Sequence, residues 1–403
     1  MPDRLAGGAI VEIRTATGPD VWAAVECQVI EASASWGTGR SLGVLSQAEG
    51  GTIELTLYDP DRLLDPVNRA GPYFALLRPG LWVRLSYSDG VTSTLIRIGR
   101  VDSIVHDERE HTGRLRAHDF IGFLSAWQID NPLISAPAAV FHLHELATQL
   151  IGIVNSGAPA YGVPPPIPVT VEPSHGPDLG VGGVPVVKIH SIPIPSGTGP
   201  TIWAHLTAAA QSQLYYAYIG PDGVLHFRDA LVADLPGITL GTGGICGVLG
   251  FVGHVDADGI VNYVDSPYAN SSGGVTQGIE WDSASVFEHG LKSFTCARIV
   301  PYGSLRTFPH GNWFQEILFD RKQPSLEALP LEIWPTTPAE LRALIGVEGM
   351  DKVTMLLDVP SPAVALVGRA IGGVIGVTAE GWRAELVTRL VPADQPALLV
   401  EDV

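Results

Sequence analysis

The chain has 403 residues with a formal net charge of −18, 46% hydrophobic side chains and only 16% charged ones, against about 25% charged in an average soluble protein. That composition excludes a disordered chain, and 24 basic against 42 acidic residues exclude electrostatic affinity for a polyphosphate backbone. The 46 glycines and 32 prolines fall short of low complexity, where the two together reach about 25–30%, and suit a turn-rich, mainly β fold.

The length suits two to four domains with ample core. Met1-Pro2-Asp3-Arg4-Leu5 carries an acid and no apolar run, and the most apolar stretch, residues 363–377, is broken by Arg369 and four glycines, so neither a signal peptide nor a membrane span is expected. Residues 21–119 read as strands and turns: Ile53, Leu55 and Leu57 alternate with Thr52, Glu54 and Thr56, the period of a half-buried strand. Similar runs at 81–85, 94–101 and 114–117, separated by Pro79-Gly80, Ser88-Asp89-Gly90 and His111-Thr112-Gly113, predict an antiparallel barrel or sandwich over 1–128. Val140, Leu143, Leu146, Ala147 and Leu150 have helical spacing, which predicts an amphipathic helix over 139–154. It opens an α/β insert at 129–240 whose Pro/Gly-rich stretch 161–200 reads as a long loop or arm. A helix over 201–212 and a hairpin turning at Gly220-Pro221-Asp222-Gly223 follow. After a Gly-rich link at 241–250, a β-rich unit over 241–403 is predicted, with short helices at 313–322 and 338–344 and a last hairpin turning at Ala379-Glu380-Gly381. Few charges beside high apolarity leave much surface without a polar coat, which predicts extensive buried subunit contacts.

No residue pattern carries catalysis. His142 and His144 would point about 200° apart on the predicted helix, so one metal cannot take both, and Glu145 adds nothing to them. Asp256-Ala257-Asp258-Gly259 starts like a calcium loop but lacks its later acids and reads as a β-turn. Gly241-Thr242-Gly243-Gly244-Ile245-Cys246-Gly247 nearly spells a dinucleotide fingerprint, but Cys246 replaces the third glycine and no helix follows. Four lysines, at 188, 292, 322 and 352, are few to hold phosphates. Cys27, Cys246 and Cys296 form no zinc, redox or disulfide pattern, which points to a reducing compartment, and Cys296 reads as a core thiol. A glycosidase carboxylate pair does not stand out. The expectation is a non-enzymatic chain without catalytic residues, cofactor or metal.

The stretch Gly51-Thr52-Ile53-Glu54-Leu55-Thr56-Leu57-Tyr58-Asp59-Pro60-Asp61-Arg62, then Pro66, Pro72-Tyr73 and Leu77-Arg78-Pro79-Gly80-Leu81-Trp82-Val83-Arg84-Leu85, resembles the N-terminal region of phage minor tail proteins. In that family a strand ending in an Asn/Asp-rich turn leads to a proline, then to a Leu-Arg-Pro-Gly turn and another strand; here the first turn reads Asp-Pro-Asp-Arg, a departure. The resemblance continues in Ile98-Gly99-Arg100-Val101-Asp102, in Leu115-Arg116-Ala117-His118-Asp119, in the run from Asp222 to Asp229, in Asp282-Ser283-Ala284-Ser285-Val286, and in Val367-Gly368-Arg369 and Gly381-Trp382. The structural motif residues it singles out are Asp59, Asp61, Arg78, Pro79, Gly80 and Trp382.

Within tail proteins the chain looks most like the baseplate hub family, which implies a homotrimer at the distal end of a tail tube. Each subunit would carry two tube-type barrels, here 1–128 and 241–403 flanking the insert, so that three subunits cap a sixfold tube. The implied neighbours are a distal tail or tail tube protein, a tape measure protein and a receptor-binding or fibre protein. Genome DNA would pass without specific binding, past acidic side chains facing the lumen, and the chain would reside in the virion tail tip after assembly in the host cytoplasm, without membrane insertion. The alternatives are a hexameric distal tail ring, a host-glycan-binding module and a wall-degrading tail enzyme.

Overall fold

The computed structural model describes residues 5, 8–15, 21–37, 47–128, 140–142, 147–148, 150–152, 169–171, 188–190, 201–211, 214–230, 237–241, 244, 253–256, 259–269, 275–295, 312–322, 325–357 and 364–390. Most of the 161–200 stretch and of the 241–250 link, together with His144, Glu145, Cys246, Cys296 and residues 391–403, lies outside them. The first segment carries β1 (Ala9–Arg14), β2 (Trp22–Ala24), β3 (Gln28–Gly37), β4 (Thr52–Tyr58), β5 (Trp82–Ser88), β6 (Ser93–Asp107), β7 (Thr112–His118) and helix α1 (Phe120–Ala126). The centre carries β8 (Val140–His142), β9 (Val169–Val171), β10 (Lys188–His190), α2 (Ile202–Gln211), β11 (Tyr215–Ile219) and β12 (Leu225–Asp229). Then come β13 (Gly237–Gly241), β14 (Gly253–Asp256), β15 (Tyr263–Ala269), β16 (Val275–Trp281), α3 (Ser283–His289), β17 (Ser293–Phe294) and α4 (Trp313–Arg321). The last part holds β18 (Ser325–Ile333), α5 (Pro338–Ile345), β19 (Lys352–Leu357), β20 (Val364–Thr378) and β21 (Gly381–Leu390).

The chain is mainly β, as its turn-rich composition and period-two runs predict. In β4 the alternation is read directly: Ile53, Leu55 and Leu57 are buried while Glu54 and Tyr58 face solvent. Strands β1–β7, β13, β14 and β18–β21 form one sheet in the order β14-β18-β21-β20-β3-β4-β7-β6-β5-β1-β2, with β19 pairing β20 and β13 pairing β19. The join is antiparallel pairing of β3 with β20, from Gly37↔Gly372 to Ala32↔Val377. One core spans both segments: Ile13, Leu57, Val83 and Leu85 pack in the same cluster as Leu331, Val353, Trp382 and Leu386. A second core lies beneath α1, α2 and the β11–β12 hairpin, with Phe120, Leu124, Leu206, Tyr215 and Phe227 meeting Val264 and Ile317. Among the described residues no helix is long and apolar enough to cross a membrane.

The seam is tight where β3 ends. Gly37 has φ 81°, a left-handed conformation open to glycine at no steric cost, and a Cβ there would collide with the Ile371 carbonyl oxygen and the Gly372 Cα. Gly37→Ala is expected to lose about 2–4 kcal/mol, combining the left-handed penalty with overpacking. Thermal unfolding of the variant beside the parent checks this, and an unchanged midpoint would refute the seam's steric limit.

Two readings of the sequence are corrected. Residues 140–142 are a strand, paired antiparallel with Lys188–His190, so the helix predicted over 139–154 does not include them; residues 147–148 and 150–152 are helical. Val140-Phe141-His142 is a β-branched and aromatic run, and strand pairing across the centre overrides its helical spacing. His142 therefore sits on a strand. Gly241, placed in a flexible link, ends β13, whose register runs parallel to β19. Helix α1 had no periodic signal because it is seven residues long and contains Gly122. Its start is set by buried Asp119, which accepts from the backbone N–H groups of Ile121 at 2.9 Å and Gly122 at 3.3 Å.

Candidate functional site

The motif residues fall in three places. Asp59 closes β4 and is fully buried. Its carboxylate accepts from the N–H of Leu63 at 2.7 Å and of Leu64 at 2.8 Å, and lies 3.4 Å from Nδ1 of His106 and 3.7 Å from Sγ of Cys27. Burial, followed by the Asp59 charge, pushes the Cys27 thiol up to about 12, which keeps it protonated and without nucleophilic character. The Cys27–Asp59–His106 grouping is thus a folding device for the loop after β4. Asp61 is exposed; its neighbour Arg62 takes φ 56° and pairs with Asp65 at 2.5 Å. Asp59→Ala is expected to cost about 1–3 kcal/mol, because two backbone donors lose their acceptor in a closed site. Urea unfolding measures it, and a midpoint matching the parent would refute the capping role.

The Arg78-Pro79-Gly80 turn is exposed at Arg78 and Pro79. Leu81 N–H donates to the Arg78 carbonyl at 3.1 Å, Gly80 N–H to the Val101 carbonyl at 2.7 Å, and Val101 N–H to the Leu81 carbonyl at 2.7 Å. Gly80 has φ 97°, and its missing Cβ leaves room for the Arg100 guanidinium, which lies 5.0 Å over the Phe123 ring. Trp382, in β21, is fully buried and packs edge-on against Tyr87 of β5, with centroids 5.4 Å apart at 82°. Each motif residue serves a different turn or strand junction; no single site collects them.

A buried charge cluster lies between the central hairpin and the last β segment. Arg228 of β12 donates from Nη1 to Oδ1 of Asp351 at 2.6 Å and to the Gly349 carbonyl at 2.8 Å, and from Nη2 to Oε2 of Glu348 at 3.2 Å. Its guanidinium lies 5.3 Å from the Tyr218 ring centroid, and the Tyr218 hydroxyl donates to Oε2 of Glu348 at 2.6 Å. His226 stacks on the Tyr218 ring, with centroids 5.0 Å apart at 12°. Burial drives the Asp351 carboxyl up to about 6, against the pull of the Glu348 N–H and Arg228. An arginine enclosed by two carboxylates and an aromatic ring holds two segments together and presents no nucleophile. Residues 228 and 351 are too far apart in sequence for any spacing rule to link them; the run from Asp222 to Asp229 was the one pointer.

A second arginine ties the same hairpin to the first segment. Arg97 of β6 is buried and donates to the carbonyls of Ile219 at 2.8 Å and Gly220 at 3.4 Å. Among the described residues no group of three histidine, cysteine or acidic side chains is placed to hold a metal. The surface instead shows apolar side chains on and beside the small sheet β16-β15-β17: Ile279, Trp281, Phe287 and Leu291 are all exposed, Phe287 by 94%.

No protein-family model matches the sequence, and no curated protein matches it. Solved structures do. The fold is similar to that of a tail protein from Neisseria meningitidis MC58, with TM-score 0.55 and 13% identity over 95% of this chain and 96% of that one. It is also similar to the 43 kDa tail protein of prophage MuSo2 from Shewanella oneidensis, with TM-score 0.50 and 14% identity over 95% and 97% of the two chains. The prophage tail protein gp18 from Listeria monocytogenes EGD-e matches with TM-score 0.50 and 11% identity over 98% and 97%. Over 95–98% of its length the chain is similar in fold to these phage tail proteins.

Proposed function

We propose that this chain is a structural component of a phage-type tail, acting as a trimeric hub at the distal end of the tube. The observation that carries the reading is the fold likeness, which extends over nearly the full length of three tail proteins. In this reading the first and last β segments act as paired tube-type modules, so that three subunits offer six to a sixfold tube. The β3–β20 seam and the shared core would hold each pair in one orientation. Low surface charge and bare apolar side chains supply the contacts between copies and to neighbours: a distal tail or tube protein, a tape measure protein and a receptor-binding or fibre protein. Acidic side chains along the lumen would let DNA pass without adhering, and the protein would reside in the virion tail tip. The buried arginine clamps serve rigidity, and no catalytic step is assigned to any residue.

Native mass measurement tests the reading. Three times the 42.7 kDa chain mass is expected. Six copies would favour a distal tail ring, and a stable monomer at micromolar concentration would overturn the hub.

A further inference from the structure

Strand β16 forms an edge of its sheet; its one strand neighbour among the described residues is β15. Natural sheets blunt such edges with proline, lysine, bulges or short strands. The β16 sequence Val275-Thr276-Gln277-Gly278-Ile279-Glu280-Trp281 has no proline or lysine. Its register to β15 runs from Tyr263↔Trp281 to Ala269↔Val275 without a shift. One face of the sheet is covered, since Gly278 lies so close to the Phe314 ring of α4 that a side chain would collide with it. The opposite face carries Ile279 and Trp281, 47% and 59% exposed, with Tyr263 beside Trp281 at 6.5 Å. A regular edge beside an apolar face is a template for a further strand.

We propose that β16 is a docking edge to which an extended segment of a different chain adds as a fourth strand. This rests on the three-copy reading above. Symmetric pairing of β16 with β16 closes at two copies and cannot build a ring of three. Head-to-tail pairing of like copies needs a second edge of matching length, and the other edge strands among the described residues span five residues or fewer. Charge points the same way. Glu280 lies in β16 and Asp265 in β15 opposite Ile279, where it accepts from Gln277; Lys292 is the one lysine or arginine among residues 259–295, and Asp282 is already held by Lys322 at 3.4 Å. A copy carrying −18 is repelled there. The occupant is an extended segment with apolar side chains at alternate positions, beside Ile279 and Trp281, and with lysine or arginine beside Glu280.

The test uses cells producing the complete tail, with a photo-reactive phenylalanine analogue at position 279. Irradiation is expected to join residue 279 to one peptide of a different chain with alternating apolar residues. The amides of 277–281 are expected to exchange about ten-fold more slowly in the tail than in the isolated chain. Ile279→Lys, with the photo-probe moved to position 277, should abolish the adduct while leaving the native mass of the isolated chain unchanged. An adduct between two copies of this chain, no adduct, or unprotected amides overturns the docking edge. The native mass of the isolated chain reports separately on the three-copy reading, so either can fail while the other result stays interpretable.

Discussion

Trp382→Ala is expected to destabilise the protein by about 3–5 kcal/mol, the range for removing a buried tryptophan from a packed core. The residue is fully buried in β21, yet its ring contact is with Tyr87 of β5, and its backbone N–H donates to the Leu5 carbonyl at 3.0 Å. The cavity would open where the last β segment meets the first. Loss of near-ultraviolet circular dichroism and a lower urea midpoint at fixed protein concentration are the expected readings. Trp382→Phe keeps part of the edge-on contact and is expected to recover more than half of the loss. If the alanine variant unfolded within about 1 kcal/mol of the parent, well below the usual range for such a cavity, the single core joining the two segments would be refuted.

Arg228→Met is expected to cost about 3–5 kcal/mol at pH 7, because truncating one partner of a buried pair leaves the other charges without compensation. Methionine keeps an unbranched apolar side chain in the site, so the loss reports on charge. The pH dependence separates this from simple packing damage. In the parent, the folded-state pKa of Asp351, about 6, lies above that of an unfolded aspartate, near 3.9 on average. Between those values the native state holds a proton that the unfolded state has released, so this carboxyl's contribution to stability falls as pH rises from about 4 to about 6. Removing Arg228 drives the carboxyl further up, and at pH 5 it is neutral in the variant. The deficit of Arg228→Met is therefore expected to shrink between pH 7 and pH 5, while Arg228→Met combined with Asp351→Asn should show a flatter pH profile. A deficit of equal size at both pH values would refute the clamp's electrostatic basis.

Several elements were written in local residue order. Alternation in Ile53, Leu55 and Leu57 marked β4, and Gly220-Pro221-Asp222-Gly223 marked the turn between β11 and β12, because both signals depend on neighbours a few residues apart. The short helix read at 338–344 is α5, and Thr337 and Glu340 form a capping box at its start. The ordered tail-protein motifs pointed to the fold that the structural likeness bears out. Residues 140–142 mislead for the converse reason: helical spacing is real there, but the partner strand at 188–190 lies 48 residues on in register.

What only the tertiary structure decided is which distant segments meet. Arg228 was legible as part of a motif, but its partners Glu348 and Asp351 were not, since neither carries a local pattern and each is defined by what the fold brings within 3.2 Å. The β3–β20 seam is of the same kind. Sequence by itself determined strand and helix content, because propensity and periodicity are properties of contiguous residues. Pairing, the common core and the place of β16 at the edge of its sheet among the described residues depend on contacts across hundreds of positions, where many strands of similar composition could pair and packing of the whole chain selects one arrangement.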